Sequence, residues 1–203
     1  PIASAQDLVL EEVTVTAKKT EVTLQDAAIA VSVTTGDDFD ASNIMKLDNF
    51  NGYVPGLVVA KNDGAGRVVT IRGVGWETSQ NLASQPSVLT YVDGIYLANP
   101  LSMGLDLGEV ERVEVFRGPQ GTEFGQGTTG GAINLVSKRP TLGEVGGYVD
   151  LGYGNYSTVT ARGAINIPLG STAAVRASVQ RHKHDGFSEI RGGALDGYEL
   201  DDA

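Results

Sequence analysis

One glycine-rich segment of this chain has a spacing that binds phosphate in many proteins. Residues Gly125–Gly130 fit the pattern G-x-G-x-x-G, and Asp150 lies 20 residues beyond Gly130. In a dinucleotide site, such glycines open a helix whose N-terminus meets the pyrophosphate. Here the residues after Gly130 alternate as a strand does, and no strand–helix–strand period follows. A purely structural glycine loop is therefore the stronger interpretation, and a nucleotide-binding soluble α/β enzyme is an alternative.

The chain has two histidines, His182 and His184, spaced to share one face of a strand. Such a pair suggests iron or zinc, but two imidazoles without further ligands are more often solvated. We therefore predict no metal site and no cofactor. The sequence also shows no set of nucleophile, base and orienting residue, so we expect a protein that is not an enzyme.

Composition restricts the possible partners. The 203 residues carry a net charge of −10, which leaves no basic stripe to neutralise nucleic-acid phosphates. No cysteine is present, so disulfides and thiolate metal sites are excluded. No apolar run reaches the roughly 18 residues of a membrane-spanning helix.

The elements around the glycine-rich segment form a mixed α/β pattern. Strands are predicted at Ala30–Thr34, Gly56–Val59 and Val68–Ile71, and helical turns at Asp37–Asp40 and Lys46–Tyr53. Thr35 or Gly36 is the expected cap of the first helix. A hairpin is predicted around Asp93-Gly94, joining Val88–Val92 to Ile95-Tyr96. A further strand pair flanks the glycines within the segment Glu111–Pro140.

Four motifs in this region occur in an order typical of one protein family. They are Val54-Pro-Gly, Ile71-Arg-Gly-Val-Gly, Tyr91-Val-Asp-Gly-Ile-Tyr and the segment Glu111–Pro140. Together they resemble the plug domain of TonB-dependent outer-membrane receptors, and the resemblance spans roughly residues 11 to 187. It implies an α+β plug, a small mixed sheet with short helices, held inside an antiparallel transmembrane β-barrel.

The N-terminal residues suggest export and a tether. Ala3-x-Ala5 fits the cleavage site of a signal peptide, so residues 1–5 are interpreted as a signal-peptide remnant. The alternating stretch after it, within segment 6–19, could add a strand to another protein's sheet, or could be an ordinary edge strand. It resembles the TonB box, and the TonB-binding residues implied are Glu12, Val13, Thr14, Val15, Thr16 and Ala17.

After the plug region, predicted as residues 20–142, the pattern changes. Residues 143–203 are predicted to hold the first three barrel strands, as three alternating runs of about 9–11 residues, the length that crosses a bilayer as a tilted strand. The last stretch, 185–203, would run into an extracellular loop. Tyr153 and Tyr156 fall where an interfacial aromatic girdle would lie. A plugged barrel has about 22 strands, so we expect this chain to be the N-terminal fragment of a longer receptor. A soluble meander is the alternative for these runs.

The resemblance implies TonB-dependent import of a bulky nutrient, most often a ferric siderophore, across the Gram-negative outer membrane. Its implied partners are the TonB periplasmic domain, a small-molecule ligand and outer-membrane lipid. Arg72 and Arg117 match the arginines that pair with barrel glutamates, and we call these two residues the ionic lock. The predicted substrate-contacting loop contributes Trp76, Glu77, Ser79, Gln80 and Asn81. A non-transporting outer-membrane binding or adhesion protein is the alternative function.

Overall fold

The computed structural model describes residues 14–17, 20–23, 30–42, 44, 46–62, 66–75, 86–98, 109–125 and 127–185. The chain divides into two compact units, Pro1–Ser137 and Lys138–Ala203. No helix in the described part of the chain combines the length and apolar character needed to cross a membrane.

The described elements are mostly short strands. In chain order the strands are β1 Thr14–Ala17, β2 Thr20–Thr23, β3 Val31–Thr35, β4 Leu57–Asn62, β5 Gly66–Ile71, β6 Val74–Gly75, β7 Val88–Val92, β8 Ile95–Tyr96, β9 Val110–Arg117, β10 Gly131–Ser137, β11 Gly146–Tyr153, β12 Val159–Pro168 and β13 Ala174–Lys183. The helices are α1 Gly36–Ala41, a 3₁₀ turn Leu47–Phe50 and α2 Gly121–Phe124.

A mixed five-stranded sheet forms the centre of the first unit. Its order is β3-β9-β10-β7-β8, with β10 and β7 parallel and the other neighbours antiparallel. A smaller sheet, β4-β5-β6, lies beside it in the same unit, and β1 pairs with β2 in a separate hairpin. The predicted α+β plug fold, a small mixed sheet with short helices, is therefore confirmed.

The main hydrophobic core joins these two sheets. Alternate residues of the central strands, such as Val113, Val115 and Ile133, pack with Ile71 of the smaller sheet and with Phe50 of the 3₁₀ turn. Residues of the opposite parity form a second, smaller cluster on the other face, namely Leu89, Tyr91, Phe116 and Ala132. Both faces of the central sheet are thus covered, which is why its strands contain so few exposed positions.

Helix α1 begins as the sequence predicts. Thr35 is its N-cap, and the Thr35 hydroxyl accepts a hydrogen bond from the Asp38 backbone N–H at 3.3 Å. The Asp38 carboxylate accepts from the Thr35 N–H at 3.0 Å and from its hydroxyl at 2.7 Å. These bonds complete a capping box and lower the pKa of Asp38, chiefly through the Thr35 hydroxyl and then through the Thr35 backbone. The second predicted helix, Lys46–Tyr53, is shorter than expected: only Leu47–Phe50 is helical, as a 3₁₀ turn.

The second unit is a three-stranded antiparallel meander, β11-β12-β13. The three predicted runs are confirmed as strands of eight, ten and ten residues. Asn166 of β12 is buried and fastens the entry segment: its Oδ1 accepts from the Thr141 N–H at 3.0 Å. Its Nδ2 donates to the carbonyls of Thr141 and Glu144, at 2.9 and 2.8 Å. One amide side chain therefore fixes where the chain enters β11.

Candidate functional site

The glycine-rich segment is a structural loop between β9 and β10. The residues after Gly130 form β10 and not a helix, so the geometry of a dinucleotide site is missing. The loop is closed by backbone bonds: Gln120 N–H donates to the Thr128 carbonyl at 2.9 Å, and Gly118 N–H donates to Gly130 at 3.1 Å. The Thr128 hydroxyl donates to the Gly125 carbonyl at 2.9 Å. The segment therefore serves to return the chain tightly into the central sheet.

Two adjacent glycines, Gly130 and Gly131, lie where several chain segments approach one another closely. Gly131 lies opposite Arg117 in the β9–β10 register, and a Cβ at this position would be 2.2 Å from the Phe116 carbonyl oxygen and 2.8 Å from Ile71 Cδ1. Gly130 sits between the end of β6 and the start of β7: a Cβ there would be 3.0 Å from Val74 Cγ1 and 3.1 Å from Val88 Cγ2. We call Gly130 and Gly131 the glycine junction. Because these two residues have no side chain, the neighbouring chain segments can approach their backbone closely.

Arg72 occupies a tight hairpin beside this junction. Ile71 pairs with Val74, so Arg72 and Gly73 form a two-residue turn, with φ of 54° and 78°. This is the φ pattern of a type I′ turn, which asparagine and glycine prefer and an arginine seldom adopts. The Arg72 N–H donates to the Gly56 carbonyl at 2.7 Å, and its side chain is exposed. A functional demand on the guanidinium would explain an arginine at a position so unfavourable to it.

Arg117 ends β9 on the other side of the junction. Its backbone N–H donates to the Ala30 carbonyl at 2.9 Å. Its Nε is buried and has no hydrogen-bond acceptor among the described residues. A buried guanidinium N–H without an acceptor costs stability, so a partner from another segment would be strongly favoured. Ile71 directly precedes Arg72, and Gly131 is opposite Arg117 in the register. The Ile71 side chain lies against Gly131, so the two arginine-bearing segments lie close together.

Sequence reasoning missed a buried charge network in the central sheet. Glu114 is 0% exposed, and its two carboxylate oxygens accept from Arg112 Nε at 2.8 Å and from Asn134 Nδ2 at 3.0 Å. Arg112 Nη1 also donates to Glu111 at 2.6 Å. Arg112 and Glu114 alternate with valines, and alternation alone does not show whether the polar face is covered. The signal for burial was Asn134, a polar residue inside an otherwise apolar strand.

An aromatic cluster covers part of the second face of the same sheet. Phe124 of α2 packs against Phe116 and Tyr91, with ring centres 4.9 and 5.0 Å apart. The Tyr91 hydroxyl donates to the Phe124 carbonyl. Burial raises the pKa of Tyr91, and the neighbouring Tyr96 raises it further. The short helix α2 is therefore fixed to the sheet by the ring of Phe124 and by the backbone carbonyl of the same residue.

The second unit has an inverted distribution of polar and apolar residues. One face of β11-β12-β13 is apolar and exposed: Val149 is 79%, Leu151 75%, Tyr153 83% and Val179 72% exposed. The opposite face is polar and less exposed. There Arg162 pairs with Asp150, with Nε 3.1 Å from Oδ2. An apolar face exposed across three strands needs a lipid or a protein to cover it.

The histidine pair lies on the polar face of this meander. The ring centres of His182 and His184 are 5.6 Å apart. In the described part of the chain, no three side chains of histidine, cysteine, aspartate or glutamate are grouped as a metal site.

Comparison with known proteins decides the family. Residues 23–132 match the family described as the TonB-dependent receptor plug domain. The chain belongs to this family. Its members are outer-membrane receptors of Gram-negative bacteria, and the predicted localisation is confirmed.

Individual proteins that are similar to this chain are consistent with this family assignment. The ferric-pyoverdine 358 receptor of Pseudomonas putida is 25% identical over 173 residues, which are 85% of this chain and 20% of that protein. The ferripyoverdine receptor of Pseudomonas aeruginosa is 29% identical over 161 residues, 79% of this chain and 19% of the relative. The crystal structure of the ferric yersiniabactin uptake receptor FyuA from Yersinia pestis has a TM-score of 0.73 at 22% identity, covering 84% of this chain and 27% of FyuA. The chain thus spans about a fifth of the length of these curated relatives.

The family explains the inverted meander. In a plug-domain receptor, the plug is followed by antiparallel strands of a transmembrane barrel, whose apolar side chains face lipid and whose polar side chains face the lumen. The exposed apolar face and the ion pair on the polar face of the second unit have this arrangement.

The remaining predicted site residues have different outcomes. Thr14–Ala17 is extended, as predicted for the TonB-box segment, but its backbone is paired with β2 from Thr14↔Thr23 to Ala17↔Thr20. Glu12 and Val13 lie outside the described residues. So do Trp76, Glu77, Ser79, Gln80 and Asn81, although β6 and β7 do flank that loop as predicted.

Proposed function

We propose that this chain forms the plug and the first barrel strands of a receptor that imports a ferric siderophore across the outer membrane with energy from TonB. The observation that carries the proposal is the combination, in one chain, of a plug domain and a strand meander with its apolar face exposed. The names of the relatives, which are receptors for ferric siderophores, support the substrate class. In this proposal the chain performs no covalent chemistry.

The plug would occlude the barrel and hold its position through the ionic lock. Arg72 and Arg117 are the natural cations for barrel carboxylates, because neither forms an ion pair with a described residue. The unsatisfied Nε of Arg117 supports this role. Segment 76–85, which connects β6 of the smaller sheet to β7 of the central sheet, would present the substrate-contacting residues.

The TonB-box segment would be gripped as a strand. An antiparallel strand has two hydrogen-bonding edges, and β2 occupies one edge of β1. Among the described residues no other strand pairs with β1, so the second edge is the place where a TonB strand would add. This adds main-chain hydrogen bonds without any need to break the hairpin.

Paired proline variants test the proposal. Val15 and Val22 are cross-strand partners in the hairpin, and proline removes an N–H from whichever strand carries it. In cells expressing the intact receptor, we expect V15P to abolish TonB-dependent uptake of ⁵⁵Fe-siderophore and V22P to retain it. Uptake that continues in cells without TonB would contradict the proposal. Surface binding of ferric siderophore without uptake would favour the non-transporting alternative.

A further inference from the structure

The exposed apolar face of the second unit ends in two cations. Residues paired across an antiparallel sheet share a face, and the register pairs Arg181 with Ala161 and Lys183 with Val159. Both basic side chains therefore lie on the apolar face. Among the strand residues that the structure describes on this face, they are the only charged ones, and the others are Gly147, Val149, Leu151, Tyr153, Val159, Ala161, Gly163, Ile165, Ile167, Val175, Ala177 and Val179. Two cations and no acid stand out in a chain with a net charge of −10.

Neither cation is neutralised within the described part of the chain. Arg181 and Lys183 are exposed, and their side chains have no ion pair or hydrogen bond with a described residue. The acid of the neighbouring strand, Asp150, belongs to the polar face and is paired there with Arg162. The two cations can therefore bind an anion that approaches the apolar face from outside the sheet.

The position of the cations along the strands matches the edge of a hydrocarbon layer. From Ile167 to Val159 the strand β12 rises about 27 Å, which a tilt of about 40° reduces to about 20 Å along the membrane normal. The apolar band of outer-membrane barrels is about 25 Å tall. With Ile167 at one edge of this band, Val159 and Lys183 lie near the other. Arg181 is two residues deeper, and its long aliphatic stem can bring the guanidinium to the same level.

Tyr153 lies in the same row of the sheet. Tyr153 and Lys183 both pair with Val159, from opposite sides, so they are about 10 Å apart on one face. Exposed tyrosines in such rows lie at the level of the lipid headgroups. The opposite end of the face, where Ile167 pairs with Val175, has no charge. The combination of cations and an aromatic ring is therefore confined to one leaflet.

We propose that Arg181 and Lys183 form a binding site for a lipid that carries a phosphate monoester, with Tyr153 beside its headgroup. Residues two apart on one face of a strand are about 7 Å apart, so two long side chains can reach one phosphate. A phosphate monoester carries a charge of about −1.5 to −2 at neutral pH, which two cations balance. Because segment 185–203 is predicted to be extracellular, the lipid belongs to the outer leaflet. The site depends on the barrel assignment of the second unit, and not on the imported substrate or on TonB.

Native mass spectrometry of the intact receptor in detergent tests the site, with diphosphoryl lipid A as the probe. Wild type should retain lipid A and release phosphatidylcholine. Each basic residue near an anionic headgroup contributes about fivefold in affinity, so R181Q/K183Q should weaken retention of lipid A about 30-fold. The control K138Q/R139Q removes the same charge before β11 begins and should retain lipid A as wild type does. Equal retention of lipid A by wild type and R181Q/K183Q would overturn the inference. Equal retention of lipid A and phosphatidylglycerol, a phosphodiester, by wild type would do the same.

A second measurement needs no variant. Lipid A should protect the Lys183 amine of the wild-type receptor from acetylation, measured by mass spectrometry of the peptide that contains it. Lys138, which precedes β11, is the internal reference and should be acetylated equally in lipid A and in phosphatidylcholine. Equal acetylation of Lys183 in the two lipids would also overturn the inference.

Discussion

The Phe116 carbonyl oxygen lies where Gly131 would carry a side chain, 2.2 Å from the Cβ position. Because Gly131 is opposite Arg117 in the register and next to Ile71, this contact sets how closely the two arginine-bearing segments approach. The glycine of the motif is therefore required by packing of backbone on backbone.

Gly131→Ala should loosen the centre of the plug. The added methyl would force β9 and β10 apart, and overpacking of this kind costs about 1–3 kcal/mol. Hydrogen–deuterium exchange of the intact receptor should show faster exchange in β9 and β10. The matched variant Gly121→Ala adds a methyl where no atom lies within 4 Å and should leave exchange unchanged. Equal protection in the two variants would contradict the packing argument.

Arg117→Glu should release the plug. The substitution replaces a cation whose Nε is buried without a described partner by an anion that would repel barrel carboxylates. We expect higher sensitivity of cells to large antibiotics and easier unfolding of the plug in urea. Arg139→Glu, at an exposed position, is the charge-matched control. Unchanged permeability and urea sensitivity in Arg117→Glu would argue against the ionic lock.

Arg112→Ala should be more damaging than replacement of the whole ion pair. It removes the guanidinium that donates to the buried Glu114 carboxylate, and loss of one partner of a buried pair costs about 3–5 kcal/mol. The double variant Arg112→Met/Glu114→Leu removes both charges and should recover part of that loss. Urea unfolding of the three variants measures the coupling. A double variant less stable than Arg112→Ala would show that other contacts of these residues dominate.

The capping box should make α1 weaker in acid. The folded pKa of Asp38 is below the ordinary value of 3.8, so its carboxylate stabilises the fold above that pH. The contribution is lost as the pH falls through the lower folded pKa. Exchange protection of α1 should thus differ between wild type and Asp38→Asn at pH 6, and the difference should shrink toward pH 2. A pH-independent difference would contradict this assignment.

Local patterns predicted the plug well where the signal lies within a few residues. Asp93-Gly94 gave the β7–β8 hairpin because both turn residues must take φ > 0, and they do, at 49° and 80°. Thr35 predicted the start of α1, since a hydroxyl there can accept a hydrogen bond from a first-turn N–H that has no acceptor within the helix. The three alternating runs gave β11, β12 and β13.

Relations between distant segments were not predictable in this way. The parallel pairing of β7 with β10 and the strand order depend on tertiary packing. The strands β1 and β2 have only four residues each, and their apolar pattern is too short to predict that they pair with each other. The burial of Glu114 was not predicted, because alternation tells which residues share a face and not whether that face is covered.

The position of β3 determines how the plug would respond to mechanical load from its N-terminal side. Among the described strands, β3 is the edge of the central sheet and pairs only with β9. A pull on the preceding chain would open it like a zipper, beginning with the bond from Arg117 N–H to the Ala30 carbonyl. The first rupture would therefore occur at the residue that carries half of the ionic lock. The pairing of β9, β10 and β7 would survive, so one strand could peel away without extraction of the whole domain.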